Sequence, residues 1–169
     1  MKANVLKFER PVTLVGGGAL DRGMLDEALA LAPEIVAADG AADRVEAMGL
    51  RPAAVIGDMD SIADRARWSA EAPHFLHLAE QDTTDFEKCL YATEAPFYLA
   101  AGFTGGRVDH MLAVFHSMLA RPERTVVLLG EEEAIALMPP GAVLEIAVAP
   151  GAVVSFFPLL PATGLASTG

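Results

Sequence analysis

The sequence predicts an α/β domain with a mainly parallel sheet and helices on both faces, followed by the start of an all-β domain. Short apolar runs alternate with helical patterns over residues 12–130, which is typical of repeated β-α units. Acidic or glycine-rich turns follow several runs, where open α/β sheets place their ligands. After residue 130 charges become rare and Pro-Gly turns separate alternating apolar runs. We therefore expect a Rossmann-like domain at residues 1–130 and an incomplete all-β domain at residues 131–169.

The apolar runs fix the expected order of elements. Strands are predicted at residues 12–15, 35–38, 53–56, 74–78, 96–101 and 125–129. Helices are predicted at residues 20–32, 41–48 and 62–72, and from residues 84 and 108 onward. Hairpin strands are predicted at residues 142–148 and 152–157. So few strands should not be stable alone, so we expect a missing remainder or a partner subunit to cover them.

The sequence predicts where the fourth helix starts and how side chains of the third and fifth helices are placed. Thr84 and Glu87 have the spacing of a capping box, which would begin the fourth helix. Trp68 lies on a charged helix and is expected to be only partly covered. The fifth helix carries one apolar stripe, which is the kind of face that a helix normally packs against a core. Its members are Val108, Leu112, Phe115 and Leu119.

Composition narrows the function classes. The 169 residues include 53% hydrophobic residues, which is enough for a packed core. The net charge of −11 argues against nonspecific binding to nucleic acid or anionic membranes. Cys89 is the lone cysteine, so an internal disulfide is excluded and a reducing cytoplasm is the natural location. The apolar stretches are too interrupted to predict a membrane span.

Two aspartates one residue apart, Asp58 and Asp60, follow the third predicted strand and precede Ser61. Their carboxylates suit a hard cation such as Mg²⁺, which also takes waters and phosphate oxygens. A polar turn that caps a helix would use the same residue types. Asp39 and Gly40 follow the second strand in the same way. The Asp39 carboxylate is suited to bind a ribose hydroxyl or a metal-bound water, and equally to cap the next helix.

The stretch 81–88 combines acids with a helix start. Asp82 and Asp85 flank the Thr84 cap, and a helix N-terminus attracts anions. Carboxylates beside an anion site become useful when Mg²⁺ lies between them and a phosphate. Lys88, about one turn into the helix, would reach a phosphate or remain a solvated surface lysine.

A glycine-rich loop precedes the fifth helix. Gly105 and Gly106 permit close backbone approach, and Arg107 offers a planar fork for phosphate. Asp109 lies near the helix start. A plain loop with a solvated arginine is the alternative interpretation.

Together, four stretches resemble the ordered signature of the thiamine pyrophosphokinase family. They are residues 38–40, 57–61, 81–88 and 105–110, and the resemblance extends over about residues 12–130. It implies a catalytic α/β domain, a C-terminal β-sandwich and a homodimer. It also implies Mg²⁺-dependent transfer of pyrophosphate from ATP to thiamine, with release of AMP.

The resemblance also assigns residues. Asp58, Asp60 and Asp85 would hold Mg²⁺ and the triphosphate, Asp82 and Asp109 would complete the acidic cluster, and Arg107 would stabilise phosphate charge. Gln81 would contact the thiamine ring. The implied catalytic residues are Asp58, Asp60, Asp85, Arg107 and Asp109. The implied substrate contacts are Asp39, Gly40, Ser61, Gln81, Asp82, Thr84, Lys88, Gly105 and Gly106.

Three other functions fit parts of the pattern. A pyrophosphokinase acting on a hydroxymethylpterin would have a similar donor site, and a non-catalytic nucleotide-binding module would retain the fold. A phosphatase with Asp58 as nucleophile and Asp60 as acid/base would require a later lysine. Lys88 is the only candidate for that lysine.

Overall fold

The computed structural model describes residues 5–168, which divide into one unit ending at Pro139 and another beginning at Pro140. The strands are β1 (Leu6–Lys7), β2 (Val12–Val15), β3 (Glu34–Ala38), β4 (Ala54–Gly57), β5 (His74–His77), β6 (Thr93–Glu94), β7 (Tyr98–Ala101), β8 (Val126–Leu129) and β9 (Ala134–Ala136). The helices are α1 (Arg22–Leu31), α2 (Ala41–Ala47), α3 (Arg65–Glu71), α4 (Asp85–Ala92) and α5 (Val108–Ala120).

The first unit is built on a seven-stranded sheet in the order β5-β4-β3-β2-β7-β8-β9. All neighbours run parallel except β8 and β9, which are antiparallel. In the register, Val15 pairs with both Ala37 and Ala101, and Gly57 pairs with His77. The loops after these strands therefore leave from one edge of the sheet. The predicted mainly parallel α/β fold is confirmed.

Helices cover both faces of this sheet. On one face, residues of α4 and α5 such as Phe86, Leu90 and Met118 pack on β2, β3, β4 and β7. On the other face, α1, α2 and α3 enclose a second core that includes Leu25 and Val45. Parallel sheets are normally buried on both faces, which explains the continuous apolar runs of the strands. None of the helices in the described residues is long and apolar enough to cross a membrane.

Two side-chain predictions were wrong. Trp68 is 1% exposed rather than partly covered, because α3 turns its indole into the second core. The predicted stripe of α5 faces outward at Val108 and Leu112, which are 64% and 58% exposed. The buried positions of that helix are Val114, Ser117 and Met118. Apolar residues occur nearly all round α5, so the spacing fits more than one face.

The ends of the chain also differ from the sequence expectation. β1 and β6 form a two-residue parallel ladder that the apolar pattern did not indicate. β9, within the segment assigned to the all-β domain, pairs with β8 at the edge of the main sheet. Residues 140–168 are exposed, and the hairpin strands predicted at 142–148 and 152–157 are not formed in this described segment. Isolated strands leave their backbone groups unpaired, so they require neighbours.

Candidate functional site

The site lies where β3, β4 and β5 end at one edge of the sheet. Asp39 directly follows β3, and Asp58 and Asp60 follow β4. The loop after β5 carries Gln81 and leads to Asp85 at the start of α4. Acids that follow two separate strands, Asp39 after β3 and Asp58 and Asp60 after β4, therefore lie at the same edge of the sheet.

Asp39, Asp58 and Asp60 form the centre of the site. One oxygen from each lies within 4.8 Å of the others. Asp39 is 3% exposed, and its Oδ2 accepts a hydrogen bond from the backbone N–H of Ser61 at 3.2 Å. Its Oδ1 is buried without a hydrogen-bond partner. Burial raises the pKa of Asp39 to about 6, with a further contribution from neighbouring carboxylates.

Two glycines permit this close arrangement. A Cβ atom on Gly57 would lie 2.8 Å from the Cβ of Asp39, and one on Gly40 would lie 2.7 Å from the backbone oxygen of Ser61. Contacts that short are not tolerated between carbon and its neighbours. The loops after β3 and β4 can therefore approach only because both positions lack a side chain.

The site also contains two non-glycine residues with left-handed backbone, Asp39 at φ 47° and Met59 at φ 64°. Aspartate tolerates this region, whereas a long side chain such as methionine is unusual there. Met59 is buried in the core with Ile62 and Trp68. This anchor holds the turn in place, and Asp58 and Asp60 flank it on the site side. No pattern in the sequence marks Met59 as a buried anchor.

Asp43 of α2 stabilises the same turn through two hydrogen bonds. Its two carboxylate oxygens accept hydrogen bonds from Trp68 Nε1 at 2.7 Å and from the backbone N–H of Ala63 at 2.8 Å. The sequence does not mark Asp43 either. Its partners lie 20 and 25 residues away, so no local spacing marks the contact.

Lys88 is buried against the acids rather than solvated. It is 1% exposed, with Nζ 3.4 Å from Asp58 Oδ2 and 3.3 Å from Asp85 Oδ1. Burial alone would lower the pKa of Lys88, but the charges of Asp85 and Asp58 raise it above its usual value. Lys88 therefore stays cationic and offsets part of the negative charge.

The two acids beside Lys88 differ in their pKa values. Burial raises the pKa of Asp85 despite the lysine charge. Burial would also raise the pKa of Asp58, but hydrogen bonds from Gln81 and the Asp60 backbone, together with Lys88, lower it overall. Gln81 Nε2 donates to Asp58 Oδ2 at 2.9 Å.

Other predicted residues of the 81–88 stretch have different surroundings. Thr84 caps α4, its hydroxyl accepting from the backbone N–H of Glu87 at 3.3 Å, so this half of the capping box is confirmed. The Glu87 side chain instead lies 3.5 Å from Arg121. Asp82 is exposed, and its backbone N–H rather than its carboxylate takes part in the loop.

The loop after β7 is not joined to the acidic cluster. Gly105 and Gly106 have φ angles of 73° and 66°, which explains the glycine pair. Arg107 Nε donates to Asp109 Oδ1 at 3.0 Å, and this pair is exposed. The hydrogen bond from Arg107 lowers the pKa of Asp109 to about 2. Among the described residues, no ion pair or hydrogen bond links Arg107 or Asp109 to the cluster.

A second glycine loop, after β2, is fixed by an arginine. Arg44 Nη1 donates to the backbone oxygens of Gly17 and Gly18, at 2.9 and 2.6 Å. Gly18 N–H in turn donates to Gly102 O at 2.7 Å, after β7. The backbone after β2 is therefore held by α2 on one side and by the loop after β7 on the other.

The arrangement suits a divalent cation. Carboxylate oxygens are the preferred ligands of Mg²⁺. The unpartnered, buried Oδ1 of Asp39 gives an independent reason to expect a cation, because a buried acceptor without a partner costs free energy. The chemistry of the donors therefore fits a metal that carries an anionic ligand.

Comparisons with known proteins point to one family. The family model described as thiamin pyrophosphokinase, catalytic domain, matches residues 25–128. Thiamine pyrophosphokinase 2 of Arabidopsis thaliana is 31% identical over 103 residues, which cover 53% of this chain and 38% of the Arabidopsis protein.

Solved structures give the same picture. The thiamin pyrophosphokinase from Geobacillus thermodenitrificans is 26% identical with a TM-score of 0.57, over 70% of this chain and 58% of that chain. The enzyme from Candida albicans, at 14% identity, shares the fold with a TM-score of 0.64, over 79% of this chain and 64% of that chain. The chain thus spans less than two thirds of the length of each of these relatives.

Proposed function

This chain belongs to the thiamin pyrophosphokinase catalytic-domain family, and we propose that it transfers pyrophosphate from ATP to the hydroxyl group of thiamine. The products are thiamine diphosphate and AMP. The observation that carries the proposal is the meeting of Asp39, Asp58 and Asp60 within 4.8 Å, beside the buried cation of Lys88. An acidic site can accept a triphosphate only when cations lie between the like charges.

Mg²⁺ is the proposed cofactor, held by Asp58 and Asp60 together with the unpartnered oxygen of Asp39. The family resemblance adds Asp85 as a further ligand. When bound, Mg²⁺ would neutralise the phosphate charge and orient the triphosphate. Lys88 contributes a fixed positive charge that requires no reorganisation during the reaction. Thr84 leaves free N–H groups at the start of α4 that favour phosphate oxygens.

The chemistry requires positioning more than covalent help from the protein. The thiamine hydroxyl oxygen forms a bond to the β-phosphorus of ATP, and the bond from that phosphorus to the oxygen bridging to the α-phosphorus breaks. AMP leaves with the bridging oxygen, and the hydroxyl proton passes to a carboxylate of the site. We propose that Gln81 and the Arg107 loop contact the substrates, with Arg107 on the phosphates.

The wider assignments are also proposals. A homodimer follows from the family resemblance, as does a β-sandwich domain that begins within residues 131–169. A cytoplasmic location is supported by Cys89, which is buried and unpaired.

Product analysis tests the reaction. The chain is incubated with Mg²⁺, ATP and thiamine, and formation of AMP together with thiamine diphosphate supports the proposal. AMP formed with a hydroxymethylpterin instead identifies a pterin pyrophosphokinase. Phosphate release from monoesters identifies a phosphatase, and ATP binding without turnover identifies a nucleotide-binding module.

Substitution of the acids tests the site. Asp58→Asn and Asp85→Asn should each lower turnover at least about 100-fold in a folded protein, because metal sites are sensitive even to their outer partners. Asp26→Asn is the matched control, since Asp26 is an exposed carboxylate paired with Arg22 on α1. Near-normal turnover in either site variant would remove that residue from the metal site.

A further inference from the structure

The carboxylate of Glu80 fastens the loop between β5 and α4. Its Oε2 accepts hydrogen bonds from the backbone N–H groups of Asp82 and Thr83, at 3.0 and 3.1 Å. Its Oε1 accepts from the Thr83 hydroxyl and, at 2.8 Å, from the Tyr91 hydroxyl. Four donors fill the acceptor positions of a carboxylate. Glu80 is therefore committed to the protein itself and is not arranged as a ligand.

Tyr91 joins this network to the helix that carries the site. It lies on α4, three residues after Lys88. Burial, with a contribution from the hydrogen bond to Glu80, raises the pKa of Tyr91 to about 12. The phenol therefore keeps its proton at neutral pH and remains a donor. The Tyr91 hydroxyl therefore connects the loop to α4 through its hydrogen bond to Glu80.

Gln81 is the residue that this network directs toward the site. In sequence, Gln81 lies between Glu80 and the two residues whose backbone N–H groups donate to Glu80, which are Asp82 and Thr83. Its Nε2 donates to Asp58 Oδ2 at 2.9 Å. Gln81 is exposed, so packing does not hold its side chain in place. Its position depends on the backbone that Glu80 fixes, and the orientation of Asp58 depends in turn on Gln81.

We propose that Glu80 is a positioning residue that acts through Gln81 to orient Asp58 in the carboxylate site. The inference rests on the proposed function only in requiring that this site bind a divalent cation. Partners that orient metal ligands typically account for about 10- to 100-fold in metal affinity. Glu80 exerts this effect without touching the ion or the substrates.

A double-mutant cycle tests the path from Glu80 to Asp58. The variants are Glu80→Gln, Gln81→Ala and the double variant, and the readout is the Kd for Mn²⁺ alone, from the electron paramagnetic resonance signal of the free ion. Glutamine keeps the size of glutamate, but its amide nitrogen donates, so acceptor contacts are lost. We expect Glu80→Gln to raise the Kd about tenfold. In the Gln81→Ala background the same change should have less than about a twofold effect.

Two further variants separate positioning from folding. Tyr91→Phe removes one donor to Glu80 and should raise the Kd by a smaller factor. Glu94→Gln is the matched control, because Glu94 is an exposed glutamate that pairs with Lys7 away from the loop, and the Kd of this variant should equal that of wild type. If Glu80 only stabilised the fold, Glu80→Gln would lower the unfolding midpoint by the same amount in the wild-type and Gln81→Ala backgrounds. The change in Kd would then not depend on Gln81.

The outcomes distinguish this inference from the proposed reaction. A Kd for Glu80→Gln within twofold of wild type, or an effect that persists undiminished in the Gln81→Ala background, would overturn it. A wild-type chain that does not bind Mn²⁺ would overturn both proposals. If the cycle shows the expected coupling but wild type forms no thiamine diphosphate, the role of Glu80 is supported and the reaction is refuted.

Discussion

Replacing Asp39 with Asn should stabilise the metal-free protein at neutral and alkaline pH. Asp39 is buried, one of its oxygens lacks a partner, and its pKa is raised from 3.8 to about 6. The folded state therefore holds the proton more tightly than the unfolded chain does. The stabilising contribution is complete below pH 3.8 and is lost as the pH rises through about 6.

The size of the effect follows from the pKa shift. A shift of roughly two units corresponds to about 3 kcal/mol of folding free energy at about 1.4 kcal/mol per unit. Asparagine carries no charge, and its oxygen can still accept the hydrogen bond from Ser61 N–H. The variant should therefore exceed wild type by up to about 3 kcal/mol above pH 6 and equal it at low pH.

Urea unfolding measures the difference. Wild type and Asp39→Asn are unfolded with a chelator present over a series of pH values, and Asp26→Asn serves as the exposed control. Added Mg²⁺ should stabilise wild type more than the variant, because the ion replaces the proton as the partner of the carboxylate. A variant no more stable than wild type at alkaline pH, or a difference independent of pH, would refute this account of Asp39.

Three further substitutions probe the support of the site. Lys88→Met should lower the urea midpoint by removing the cation between two carboxylates, and Mg²⁺ should restore part of the loss; no recovery would contradict a shared electrostatic site. Gly57→Ala should lower the free energy of unfolding by about 1–3 kcal/mol, because the new Cβ would overlap that of Asp39. An unchanged urea midpoint would show that the loops after β3 and β4 can move apart. Trp68→Phe should lower the free energy of unfolding by about 1–3 kcal/mol, since Asp43 loses the indole N–H; an equal loss in an Asp43→Ala background, which has no acceptor, would show that this hydrogen bond is not the cause.

The parallel sheet and the meeting of the acids were predictable for the same reason. Apolar runs separated by helical patterns indicate parallel strands, whose carboxyl ends lie at one edge. Asp39 and Asp58 follow neighbouring strands, so their proximity follows from strand order. The sequence also indicated a cap at Thr84, because that contact spans only three residues.

The missed features depend on distant or ambiguous contacts. The hydrogen bond from Trp68 to Asp43 spans 25 residues, and the apolar pattern of α5 does not single out one face. Asp109 was expected in the acidic cluster, but the loop after β7 directs it toward Arg107. Such placements follow from loop geometry, which apolar periodicity does not encode. The two-residue strands β1 and β6 are too short for a periodic signal.

The hydrogen bonds and ion pairs described above for the acidic site all join residues of one continuous stretch, residues 39–91. This stretch lies in the half of the sheet that includes β4 and β5, far in strand order from the antiparallel edge at β9. Local unfolding of β9 would consequently leave the positions of the site carboxylates unchanged. Hydrogen exchange at β8 and β9 can therefore proceed faster than at β3 and β4 without disturbing the site.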